Sequence, residues 1–71
     1  MKGNKSLIRV KIKNADIDFL TRVFEGYDGL GMVSTLDRKE GLVGIWVTPD
    51  TQEEVRVILE HFPRELEVQD Q

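Results

Sequence analysis

The sequence predicts an α+β domain in which two helices cover one face of a four-stranded antiparallel sheet. Three observations predict it. Residues 6–13, "SLIRVKIK", alternate apolar and basic side chains with the period of a strand. Two later segments place apolar residues at helical spacing. Between those segments lie two short β-branched and apolar runs joined by a charged, glycine-ending loop, "DRKEG".

The elements follow in order. In 6–13, Ile8, Val10 and Ile12 take one face, and Arg9, Lys11 and Lys13 the other. Asn14 offers an N-cap, and Asp16 and Asp18 suit the positive end of a helix. Ile17, Leu20, Val23, Phe24 and Tyr27 then recur at helical spacing, which predicts a helix over 15–26. Gly26 is placed to end it in a left-handed conformation, and Gly29 and Gly31 extend the break. Residues 30–36 read as a second strand. The "DRKEG" loop supplies a glycine where a hairpin needs positive φ. Residues 41–48 form a third strand, which Pro49 ends.

Two start signals compete for the second helix. One is Asp50 with Glu53 as a capping box. The other is Thr48 as cap, with Pro49 at the first helical position. Val55, Ile58, Leu59 and Phe62 make an apolar stripe over 51–61, and Pro63 stops the helix. Residues 65–69 give a short last strand with Leu66 and Val68 inward. Strand, helix, strand, strand, helix, strand is the ferredoxin-like βαββαβ arrangement, with strand order 4-1-3-2.

That order bears on an uneven charge distribution. Residues 1–14 carry five basic residues and no acid; residues 50–71 carry seven acids against Arg56 and Arg64. With the first and last strands adjacent, Arg9 and Lys11 are expected beside Glu65 and Glu67, where opposite charges across strands contribute about 0.2–1 kcal/mol each. A basic arm for an anionic partner is the alternative.

The bulk properties exclude several classes. Seventy-one residues make one domain near the lower limit for a self-sufficient core. Chains this small often add disulfides, a metal or a partner subunit. There is no cysteine and one histidine, which leaves oligomerisation as the open route. No apolar run approaches the ~20 residues that span a membrane, and the N-terminus has no apolar core of a signal peptide. A soluble, cytoplasmic protein without cofactor is expected. Asp50, Glu53 and Glu54 read as residues of a helix start rather than a metal cluster. His61 has no base, nucleophile or second ligand near it in sequence, so no catalytic residue is assigned.

The run "FEGYDGLGMVSTLDRKEGLVGIWVTPD" resembles a bacterial family of small stand-alone domains, domain of unknown function 4911, over about residues 7–68. The layout and the passage "VFEGYDGLGMVSTLD" also resemble ACT-like domains. That resemblance implies a regulatory module that binds an amino acid or similar metabolite near the loop after the first strand, often between two domains. Here the loop is "KIKNADIDF", and the implied ligand residues are Lys13, Asn14 and Asp16, with Gly29 and Gly31 from the turn after the helix. The glycine that usually opens the helix in such domains is missing.

The third strand raises a separate question. If Val43, Ile45 and Val47 face the helices, then Leu42, Gly44 and Trp46 face away. With Met32 or Leu36 of the neighbouring strand they make an apolar patch rimmed by charge, which reads as an interface between copies in a homodimer or higher homo-oligomer. The opposite register would bury Trp46 and leave three β-branched residues outside. RNA-recognition motifs share this topology and stack bases on the open face. The net charge of −3 and the lack of a second aromatic there argue against nucleic acid. The rival reading is a nucleic-acid or protein-binding adaptor that uses the open sheet face.

Overall fold

In a computed structural model, which describes residues 6–27 and 29–69, the predicted order holds: β1 (Ser6–Ile12), α1 (Ile17–Glu25), β2 (Met32–Asp37), β3 (Leu42–Val47), α2 (Gln52–Glu60) and β4 (Leu66–Val68). Lys2, Lys5, Asp28 and Asp70 lie outside the described residues. The four strands form one antiparallel sheet ordered β2-β3-β1-β4, the expected 4-1-3-2.

The core lies between the sheet and the two helices. From β1 come Ile8, Val10 and Ile12; from β3, Val43, Ile45 and Val47; from the helices, Ile17, Leu20, Phe24, Val55 and Leu59. Every one is buried, and among the described residues no polar or charged side chain is buried with them. The period-2 and period-3.6 patterns therefore identify the inner faces of β1, β3 and both helices. Val68 shares the inner face through its pairing with Val10. As part of the edge strand β4, however, it stays partly in solvent.

Element ends differ from expectation in several places. Asn14 is not a cap. It sits in a single 3₁₀ turn, Asn14–Asp16, ahead of α1, and neither Lys13 nor Asp16 makes a side-chain cap hydrogen bond. The Asp16 carboxylate instead lies 3.8 Å from Arg64 Nε. Gly26 keeps a right-handed conformation, with φ −78°. The left-handed residue is Gly29, at φ 78°, so the chain reverses three residues later and β2 begins at Met32. Leu30 becomes a loop residue packed against the core.

The hairpin behaves as read. Gly41 has φ 71°, and a Cβ there would collide with the Ile12 carbonyl oxygen. The same close approach lets the Ile12 N–H donate to the Gly41 carbonyl at 2.8 Å, which ties the end of β1 to the start of β3. Neither proposed start for α2 forms as a cap: the helix begins at Gln52, Thr51 stands before it without a side-chain cap hydrogen bond, and a turn closed by Thr48 leads into it. The Thr48 N–H donates to Thr51 Oγ1 (3.1 Å), and the Thr48 carbonyl accepts from the N–H groups of Thr51 and Gln52.

Of the two expected pairs between β1 and β4, only Lys11 and Glu67 are opposite in register. The Lys11 ammonium turns the other way, to Glu40 at 3.6 Å. Arg9 meets Gln69, whose N–H donates to its carbonyl at 2.7 Å, and Glu65 precedes the strand. β4 is too short to carry the second pair.

Candidate functional site

The open face of the sheet is built in rows set by strand register. Leu7 of β1, Trp46 of β3 and Met32 of β2 form the first row; Arg9, Gly44 and Ser34 the second; Lys11, Leu42 and Asp37 the third. A register shift between Thr35 and Asp37 makes Leu36 the extra residue of a bulge. Gly44 is what lets the rows close up. A Cβ on it would stand 2.7 Å from Leu7 Cδ1 and 3.1 Å from Leu36 Cδ1, so the two leucines meet over the bare backbone. Gly44 is consequently buried although it faces away from the helices.

The result is a largely apolar surface on the β2–β3 half of the sheet, broken by Ser34 and bordered by Asp37. Met32 is 65% exposed, Leu36 42% and Trp46 40%. Arg9, Lys11, Glu40 and Glu67 rim it with both signs of charge. All four residues read from the sequence as interface, Met32, Leu42, Gly44 and Trp46, lie on this face. Leu7 was missed. The signal for it was its odd position, shared with Arg9 and Lys11 in an alternating strand.

The five residues implied as a ligand site are not brought together. Lys13, Asn14 and Asp16 follow the C-terminal end of β1. Gly29 and Gly31 precede β2, which runs parallel to β1 in the sheet, so they lie at the opposite end. The strand–helix loop is also internally satisfied. Asp16 faces Arg64, and Asp18 faces Arg38 at 3.6 Å. The Arg64 guanidinium lies 4.8 Å over the Phe19 ring, which in turn packs on Phe62.

Gly29 and Gly31 instead line a cleft of about 710 Å³ at the other end of the sheet. Its floor is core: Phe24 of α1 and Val47 of β3. Its walls are Leu30 and Val33, and its rim is Met32 and Trp46, which it shares with the open face. Three hydroxyls border it. Thr21 Oγ1 donates to the Ile17 carbonyl (3.0 Å), and the Thr48 and Thr51 hydroxyls lie 3.3 Å apart. Among the described residues Glu25 is the one charged residue of the lining, and it makes no ion pair with any of them.

Among the described residues no group of three or more His, Cys, Asp or Glu could hold a metal ion, and no helix is long and apolar enough to cross a membrane. His61 is exposed, with Nδ1 3.1 Å from the Val57 carbonyl of its own helix.

The sequence profile of a family described as a domain of unknown function, number 4911, matches residues 10–66. The chain belongs to this family. The match runs from the middle of β1 to the start of β4 and so includes the cleft and the β2–β3 part of the apolar face. No curated protein and no solved structure matches the chain.

Proposed function

We propose that this family member is a non-enzymatic module that associates with a second copy of itself through the open face of its sheet. One observation carries the reading: Met32, Leu36 and Trp46 stand together in solvent on the face that no helix covers. A monomer normally leaves such residues scattered.

The rim favours a second copy over other occupants. It presents Arg9 and Lys11 beside Glu40 and Glu67, so a two-fold contact can set each sign against the other. A nucleic acid would want cations alone, and the chain carries a net charge of −3. Size sets the strength. Four strands about 4.8 Å apart, with about six residues at about 3.3 Å each, give a face of roughly 20 by 20 Å. That falls short of the ~800 Å² per partner of a standard interface, so the association belongs to the weak, reversible class.

Light scattering over a concentration series tests it. The expected result is a molar mass that rises toward twice 8.2 kDa as concentration increases. A constant monomer mass up to about 1 mM, where even weak interfaces of this class populate dimers, contradicts it.

A regulatory, metabolite-binding role is the second reading, and the cleft favours it. The volume falls within the ~300–1,000 Å³ of small-molecule sites, and an apolar lining with few polar groups is their usual character.

A further inference from the structure

We infer that the cleft between the end of α1 and the β2–β3 edge takes a small cationic amine with an apolar or aromatic body. The inference rests on the metabolite reading of the cleft and does not require self-association. Three features define the ligand.

The floor and walls are apolar: Phe24, Leu30, Val33 and Val47. They reward burial of a hydrocarbon or aromatic body at about 25 cal/mol per Å² removed from water. The rim contributes the Trp46 ring, whose face attracts both apolar groups and cations. Among the described residues the only charge in the lining is the Glu25 carboxylate, and no cation of those residues neutralises it.

The Thr21 hydroxyl reinforces the sign. Thr21 has spent its proton on the Ile17 carbonyl, which leaves its oxygen as an acceptor. An acceptor and a carboxylate on an apolar wall match a donor-rich head group and disfavour an anion. A carboxylate ligand would meet Glu25 with no cationic side chain among the described lining residues to offset the repulsion.

The chain's single tryptophan lies on the rim, so its emission reports occupancy directly. Three probes of one shape separate the contributions: phenethylamine, the neutral 2-phenylethanol and the anionic 3-phenylpropionate. The expected order of affinity is amine, alcohol, anion, with the amine about fivefold tighter than the alcohol, the size of a partly exposed ion pair. Glu25→Gln should bring amine and alcohol together, while Glu60→Gln, which changes an acid on α2 outside the cleft, should leave the preference intact. Leu36→Glu disrupts the apolar face without touching the cleft lining, and it should also keep the preference. Retention there separates the cleft from self-association. Equal responses to all three probes, no response to any of them, or an amine preference that survives Glu25→Gln overturns the inference.

Discussion

The two faces of β3 are made of similar residues and meet different fates. Val43, Ile45 and Val47 point at the helices and are 0%, 0% and 1% exposed. Leu42, Gly44 and Trp46 point away, and Trp46 remains 40% exposed. On β1 the contrast is of the ordinary kind, with Ile8, Val10 and Ile12 inside and Arg9 and Lys11 in water. Alternation alone tells which residues share a face. Only the chemistry of the outer face tells whether water is its intended neighbour. On β1 it is. On the β2–β3 half, where Met32, Leu36 and Trp46 gather, apolar surface exceeds what a solvated face requires.

Substitutions on the inner face should have the largest effect. Ile45→Ala opens a cavity in the core and should cost about 3 kcal/mol. Urea melts at two protein concentrations should give the same loss, because this residue serves the monomer. Next comes the hairpin that sets which residues of β3 face which way. Gly41→Ala combines a left-handed backbone with a collision against the Ile12 carbonyl, so it should exceed the ~1–2 kcal/mol of left-handed strain alone. A loss below about 1 kcal/mol would mean that the β1–β3 junction is less tight than described.

Outer-face changes should be smaller and of a different kind. Trp46→Ala should cost the monomer about 1–2 kcal/mol, less than the 3–5 of a core tryptophan, with a further loss that grows with concentration. A loss of the core size, equal at all concentrations, would erase the difference between the faces. Gly44→Ala should be milder still. Its Cβ meets the ends of two flexible leucines, not backbone, so the cost should stay under the ~1–3 kcal/mol of an overpacked core. Thermal melts resolve that difference, and the leucines, pushed apart, should weaken association without unfolding the chain.

Much of this was legible in the sequence because it depends on local periodicity. The alternation in 6–13 and 41–48 and the apolar stripes of both helices identify the core. Ends were less legible. Asn14 suits a cap and is not one, and Gly26 is the C-cap of α1 without the left-handed conformation expected of it, because that conformation depends on where the chain must turn. Arg64, far along the sequence, holds Asp16, while Gly29 takes the left-handed turn in place of Gly26. The open face was legible in part. Trp46 and Met32 follow from alternation. The meeting of Leu7 and Leu36 over Gly44 needs two neighbouring strands in register, which no single segment reveals. The cleft was not legible, since α1, the loop after it, β2, β3 and the turn before α2 each contribute to it. The resemblance to ACT-like domains grouped Gly29 and Gly31 with Lys13, Asn14 and Asp16, and the topology sets them at opposite ends.

Acrylamide quenching of Trp46 tests the central claim most directly, because the chain has no other tryptophan. If a second copy covers the open face, quenching should be efficient in dilute protein and should fall as the concentration rises from about 1 μM toward about 1 mM, the range over which weak interfaces fill. In Met32→Glu, which places a charge on the most exposed residue of the patch, quenching should stay at its dilute value throughout. Quenching of the parent protein that is the same at every concentration would contradict the account, for it would mean that Trp46 faces water whether or not the chains associate.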